Sequence, residues 1–308
     1  MEKKKKWNVN TKGQKRNEIL LNETMSGFLI FTDKNKEKNA VRDAYNILND
    51  KLEEIYPMLK NEQNETDNNP NTNNDNNTTD NIDKELKSLQ NKKKYFFNFN
   101  TNCKGVVFIK IDKEYTNIIS PLTIVSNIFE EINESKETIS KAISKFIPIE
   151  YAFKAKFDIF KEKSKELITK YFINESNDKL SWKVEIRIRN NNSINKNEYM
   201  DYIISLIDKE KFYVNYKLPH YTVLIEITND LCCLSVLQKY AEFKCYNIQN
   251  YVKTEEEREN ERQRLIQMQN KKIKKDNTDS NNNNEDKHNN NNIDNDNEND
   301  NDEEIDII

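Results

Sequence analysis

Glycine is almost absent from this chain of 308 residues, which contains only Gly13, Gly27 and Gly105. Glycine-rich phosphate loops and dinucleotide-binding turns need closely spaced glycines, because only a residue without a Cβ lets the backbone approach a phosphate closely. Neither motif can be built from three isolated glycines, and the GxSxG turn of serine hydrolases is missing too. These absences argue against an enzyme of any of these classes.

Histidine and cysteine are also scarce, and their spacing does not suggest a metal site. The chain has two histidines and four cysteines: His220, His288, Cys103, Cys232, Cys233 and Cys245. No two cysteines form a CxxC pair. Adjacent cysteines on a strand point to opposite faces, so Cys232 and Cys233 cannot easily share a metal. We therefore predict no metal site, no cofactor and no catalytic residues.

Long apolar runs are missing as well. No stretch of about eighteen apolar residues occurs, and the N-terminus lacks the features of a signal peptide. We expect a soluble, intracellular protein with reduced thiols, in the nucleus or nucleolus, with the cytoplasm as the alternative. The lysine-rich arm 1–25 is either a disordered leader, a nuclear signal or an RNA-contacting arm.

The charge is distributed unevenly along the chain. The net charge is −4, yet residues 91–254 alone carry +6. The insertion 61–90 and the tail 276–308 are rich in Asn, Asp and Glu, and such segments bury too little apolar surface to fold. We predict that both are disordered and that 254–275 forms a charged helix. The basic second half favours a polyanionic partner.

Hydrophobic periodicity predicts an α/β (α+β) chain. Residues 26–147 have the order β-α-β-β-α-β, which is typical of a ferredoxin-like domain. The last of these strands is predicted over 141–149, ending near Pro148. A second unit, 148–253, has the order α-β-α-β-β. We expect two adjacent units with a boundary near 148–156, and not one continuous sheet.

The segment VEIRIRNNNSINKNEYM, 184–200, ends the first strand of the second unit. Its apolar residues Val184, Ile186 and Ile188 alternate with charged ones, which indicates a strand with one buried face. Arg187 and Arg189 are predicted on the solvent side, and Asn195 is predicted to cap the next helix. From the pattern alone, this charged face is either solvated surface or a binding surface.

Several segments resemble the THUMP domain family. They are YTVLIEITNDLCCLSVLQKYAEFKCYNIQNYVK (221–253), IRNNNSINKNEY (188–199) and KFIPIEYAFKA (145–155). The resemblance extends to GFLIFTDKNKEKNAVRDAYNIL and GVVFIKI, so it covers roughly 26–253 apart from the insertion. Within the family, the chain is most similar to the stand-alone adaptors for tRNA cytidine N4-acetylation.

The resemblance implies a THUMP domain that follows a ferredoxin-like domain and binds tRNA. It implies a non-catalytic adaptor that presents serine and leucine tRNAs to a separate RNA cytidine acetyltransferase. Acetyl-CoA and ATP would belong to that enzyme. The alternative hypothesis is a protein-interaction scaffold whose basic face binds an acidic partner.

Combining the resemblance with the charge pattern gives a predicted RNA-binding set. Arginine binds phosphate in a bidentate manner, and a helix N-terminus offers free backbone N–H groups. The set consists of Arg187, Arg189, Asn190, Asn191 and Lys196, with Lys154, Lys156, Lys141 and Lys145 as an extension.

Overall fold

The computed structural model describes residues 23–59, 93–173, 178–260, 262–264, 266 and 267. The basic arm up to residue 22, the insertion 61–90 and the tail 276–308 lie outside these ranges, so the predictions made for them stay predictions. Residues 255–260 of the predicted charged helix are helical. They belong to a unit that begins at Lys253 and is separate from the compact unit ending at Val252.

The first half has the predicted ferredoxin-like arrangement. Its elements are β1 (Met25–Phe31), α1 (Glu37–Ile55), β2 (Phe96–Phe99), β3 (Val106–Ile111), α2 (Pro121–Ser135) and β4 (Lys145–Lys154). The strands lie in the order β2-β3-β1-β4, and each neighbouring pair is antiparallel. Since β1 and β2 are separated by β3, this is a split β-α-β arrangement.

The second half adds four strands and three helices. They are α3 (Phe157–Tyr171), β5 (Leu180–Arg189), α4 (Lys196–Leu206), β6 (Phe212–Val214), β7 (Tyr221–Thr228), β8 (Leu231–Leu237) and α5 (Ile248–Val252). The sequence analysis did not predict β6 or α5. Strands β5 and β6 are parallel, as are β5 and β7, whereas β7 and β8 form an antiparallel hairpin.

The two halves share one sheet, so the prediction of two units without a continuous sheet is wrong. The order is β2-β3-β1-β4-β8-β7-β5-β6, and β4 joins the halves. Its residues Lys145–Ala152 pair with β1, and Tyr151–Lys154 pair with β8.

Strand β4 also continues through Pro148, where the sequence predicted its end. Proline cannot donate to a neighbouring strand, but it keeps its carbonyl acceptor. The Ser235 hydroxyl donates to the Pro148 carbonyl at 2.9 Å and accepts from the Glu150 amide at 2.8 Å. These side-chain bonds help to carry β4 from one partner strand to the next.

The sheet is covered by two hydrophobic cores. One core contains Phe28, Ala44 and Ile128 with the helices of the first half, and the other contains Phe160 and Ile203 of α3 and α4. Cys233 lies in the first core and Cys232 in the second, so the prediction that they point to opposite faces is confirmed. Among the described residues, no helix is long and apolar enough to cross a membrane.

Candidate nucleic-acid interface

Three strands, β4, β5 and β7, end on the same side of the sheet. Strands β5 and β7 are parallel, and both β4 and β7 are antiparallel to β8. Their last residues form one row, in which Lys154 pairs with Leu231, Leu231 with Thr228, and Thr228 with Arg189. Neighbouring strands lie about 4.8 Å apart, so the Cα atoms of Lys154 and Arg189 are separated by about 14 Å.

Helices α3 and α4 both begin at this edge, because each follows a strand that ends there. Asn195 caps α4: its side-chain oxygen accepts from the Asn197 amide at 3.1 Å, which confirms the prediction. Lys156 occupies the N-cap position of α3, where no side chain caps the helix. The first backbone N–H groups of α3 are therefore available to an anion.

Three predicted lysines lie at the starts of these helices. Lys156 and Lys196 are exposed, and Lys154 is half-buried at the end of β4. Close by, the exposed Asp158 pairs with Lys161 at 3.0 Å, which limits how far its charge offsets the lysines. The arrangement combines lysine cations with the uncapped backbone donors of α3, and it can bind a phosphate without reading a base.

The two predicted arginines do not lie on a free solvent face, so this part of the prediction is wrong. The side chain of Arg187 is only 17% exposed and contacts Glu185 at 3.3 Å. Arg189 donates to Glu226 at 2.6 Å, and its guanidinium lies 4.7 Å from the centre of the Phe31 ring. Phe31 of β1 and Glu226 of β7 thus contact a side chain that the local pattern placed in solvent.

Glu226 is the buried centre of this cluster, with 1% of its side chain exposed. One oxygen accepts from Arg189, and its other oxygen, Oε1, has no hydrogen-bond partner among the described residues. Burial raises the pKa of the Glu226 carboxyl, and the charges of Arg189, Arg187 and Lys145 oppose that rise. The cations therefore act first as counter-charges to a buried carboxylate.

The two predicted asparagines also make bonds within the protein. Asn190 has a φ of 54° and donates to the Cys103 sulfur at 3.4 Å. The Asn191 side-chain nitrogen donates to the Asn229 carbonyl at 2.8 Å, and its side-chain oxygen accepts from the Ser193 backbone amide at 3.0 Å. Both residues shape the connection between β5 and α4, and Asn190 links it to the first half.

Lys141 and Lys145 lie before and at the start of β4, far along the strand from Lys154. Lys141 is exposed, whereas Lys145 is half-buried and close enough to Glu226 to influence its carboxyl. The structure therefore brings Lys145 to the arginine cluster, whereas Lys154, Lys156 and Lys196 lie at the edge where the helices begin.

Some residues that shape this region escaped the sequence analysis. Asn229 has a φ of 50°, and its side chain donates to the Thr101 carbonyl at 2.8 Å, across 128 positions of sequence. Phe31 and Glu226 looked like ordinary strand residues. The only local signal was the Asn229–Asp230 pair, since asparagine tolerates the left-handed conformation of tight turns.

No group of three or more metal-ligating side chains occurs in the described parts of the chain.

Comparison with known families identifies the second half. The model of the THUMP domain matches residues 154–237, which run from the end of β4 to the end of β8. The chain contains a THUMP domain. The sequence prediction of this domain is thereby confirmed. Lys154, Lys156 and Lys196, which together form the lysine-bearing edge, all lie within the matched range.

Relatives extend the similarity to the first half. The chain is 25% identical to THUMP domain-containing protein 1 of Bos taurus over 239 residues, covering 76% of this chain and 65% of that protein. It thus spans about two thirds of the length of that relative. It is 24% identical to the tRNA acetyltransferase TAN1 of Saccharomyces cerevisiae over 251 residues, covering 75% of this chain and 86% of that protein.

The chain also has a similarity to a solved structure. The solution structure of the THUMP domain of THUMP domain-containing protein 1 is 23% identical, with a TM-score of 0.22. It covers 27% of this chain and 84% of that structure.

Proposed function

We propose that this protein is a non-catalytic adaptor that binds tRNA and presents it to an RNA cytidine N4-acetyltransferase. The tRNAs proposed are those for serine and leucine. Acetyl-CoA and ATP would be used by the partner enzyme, and the adaptor would act in the nucleus or nucleolus.

The observation that carries the proposal is the THUMP domain together with similarity to a yeast protein named for tRNA acetylation. The lysine-bearing edge supports the proposed tRNA binding, because Lys156 and Lys196 are exposed at the N-termini of α3 and α4. Phosphate contacts of this kind position an RNA without reading its sequence.

The RNA-binding part is tested with the triple variant Lys154→Ala, Lys156→Ala and Lys196→Ala. Each lost phosphate contact lowers the slope of log affinity against log salt by roughly 0.7–0.9. We expect the slope to fall by about 2 and the tRNA affinity to fall at every salt concentration. Lys165→Ala is the matched control, because Lys165 is an exposed lysine further along α3.

Unchanged tRNA affinity in the triple variant would exclude this edge as the binding surface. Arg187 and Arg189 are left intact in this design, because the buried Glu226 depends on the arginine cluster. A loss of affinity can then be assigned to RNA contacts and not to misfolding, with circular dichroism as the check.

The adaptor part is tested by reconstitution. The chain alone should leave tRNA unmodified, whereas the chain with the acetyltransferase, acetyl-CoA and ATP should yield N4-acetylcytidine by nucleoside mass spectrometry. Under the triple substitution, a higher tRNA concentration should partly restore the yield, because only binding is weakened. Acetylation by the chain unaided would refute the adaptor proposal.

A further inference from the structure

An exposed apolar surface lies on β6, the outermost strand of the sheet, and on the loop after it. Tyr213, Val214, Tyr216 and Leu218 are 48%, 50%, 71% and 74% exposed, and we call these four residues the β6 surface. They are half of the eight large apolar side chains that stand exposed in the described residues, yet they fall within six positions. Apolar residues exposed singly are ordinary, whereas several exposed within one short segment are typical of an interaction site.

The outer backbone side of β6 faces no other strand of the described parts of the chain. This strand is the last in the sheet order, and within those parts it pairs with β5 alone. The Lys211 carbonyl accepts from the Leu180 amide at 3.2 Å, and the Asn215 amide donates to the Trp182 carbonyl at 3.0 Å. Backbone groups alternate along a strand, so the N–H and C=O of Val214 point away from β5. Such an edge is a template for another extended chain.

The β6 surface is held in a fixed shape. The Asn215 side chain accepts from the Lys217 and Leu218 amides at 3.0 and 3.3 Å, and it donates to the Leu218 carbonyl at 3.3 Å. Phe212, at the start of β6, is buried, with its ring 5.0 Å from that of Phe172. A surface ordered before binding loses little conformational entropy when a partner docks.

The chemistry of this surface favours a protein partner over RNA. Val214 and Leu218 are aliphatic and cannot stack with bases as tyrosines do. Along β5, Trp182 and Arg189 are seven residues apart, which corresponds to about 23 Å. The β6 surface is therefore well separated from the lysine-bearing edge.

We propose that the β6 surface docks an extended apolar segment of a second protein, which adds a strand to β6 and buries Tyr216 and Leu218. The identity of that protein rests on the proposed function, under which it is the RNA cytidine acetyltransferase. Backbone bonds along Val214 would align the segment, and the exposed side chains would supply most of the binding free energy.

Two variants of the full chain test the side-chain and backbone parts separately. Tyr216→Ser with Leu218→Ser removes the two most exposed side chains. Val214→Pro removes an outward-facing N–H, and proline is tolerated on the open side of an edge strand. Met58→Ser is the matched control, because Met58 is 61% exposed and lies in the first half. Affinity for the purified acetyltransferase is measured by calorimetry, affinity for tRNA by filter binding, and self-association by sedimentation.

We expect each β6 variant to weaken acetyltransferase binding about tenfold or more. The tRNA affinity should stay within about twofold of wild type, and Met58→Ser should bind both partners normally. If both β6 variants bind the enzyme like wild type, the docking proposal is wrong while the adaptor function stands. If the wild-type chain does not bind the enzyme at all, the adaptor function itself fails.

Two further outcomes would overturn the docking proposal. A parallel loss of tRNA affinity would make the β6 surface an RNA contact. A wild-type dimer that the β6 variants convert to monomers would make a second copy of this chain the occupant.

Discussion

Arg189→Ala should destabilise the fold in a way that depends strongly on pH. The substitution removes the 2.6 Å contact that pairs the Glu226 carboxylate with the Arg189 guanidinium, and the Glu226 side chain is 1% exposed. Without Arg189, burial raises the Glu226 pKa further, because one of the three positive charges that oppose the rise is gone and only those of Arg187 and Lys145 remain. The protein then either keeps an uncompensated buried charge or takes up a proton.

Proton uptake sets an upper limit on the electrostatic loss. Unfolded glutamate has a pKa of about 4.3, and holding it protonated costs about 1.4 kcal/mol for each pH unit above that value. The limit is about 3.7 kcal/mol at pH 7 and about 1 kcal/mol at pH 5. Arg189 is 34% exposed and Arg187 still attracts the carboxylate, so we expect a loss of about 2–3 kcal/mol at pH 7.

The sign of the pH dependence follows from the raised pKa. A carboxyl whose pKa is higher in the folded than in the unfolded state stabilises the fold at low pH. That stabilisation is lost as the pH rises from about 4.3 through the folded pKa. The stability of Arg189→Ala relative to wild type should therefore fall between pH 5 and pH 7. Urea unfolding followed by circular dichroism at both pH values measures this difference.

A matched background isolates the charge. In Glu226→Gln the side chain cannot ionise, so adding Arg189→Ala there should produce a smaller loss that is nearly independent of pH. The same loss at pH 5 and pH 7 in the wild-type background would refute the reasoning. It would mean that Arg189 contributes through packing on Phe31, from which its guanidinium lies 4.7 Å, and not through Glu226.

Three further substitutions, at two positions, test the contact between the halves and the packing of β1 against β3. Asn229→Gly keeps the left-handed turn but removes the bond to the Thr101 carbonyl, so we expect a loss of about 1 kcal/mol in urea unfolding. Asn229→Ala should lose more, because alanine also strains a φ of 50°; equal losses would contradict this. Gly27→Ala should prevent normal folding, because its Cβ would overlap the Ile109 carbonyl oxygen, and a soluble variant with wild-type stability would contradict the β1–β3 register.

Local patterns were sufficient for most of the elements. The helices predicted from apolar spacing are present, and the strand with Val184, Ile186 and Ile188 buries that face against α3 and α4. Side chains alternate along any strand, so this information is contained in the sequence itself. The three-residue β6 was missed because it is too short to show a period.

The sequence could not specify what covers the other face of β5. Whether Arg189 meets solvent depends on Phe31 and Glu226, which reach it only after β4 pairs with both β1 and β8. Pro148 was interpreted as a strand end, because proline lacks a backbone N–H. The Ser235 hydroxyl that bonds its carbonyl is 87 positions away, so the local sequence gave no sign that the strand continues.

Composition and periodicity thus determined the α/β class, the ferredoxin-like order of elements and the apolar face of β5, while the resemblance of particular segments indicated the THUMP domain. They did so because these properties depend on residues a few positions apart. Only the tertiary structure decided that the halves form one sheet, that the arginines neutralise a buried carboxylate, and that exposed lysines stand at the starts of α3 and α4. These features depend on long-range pairing, in which a side chain's environment is supplied by residues distant in sequence.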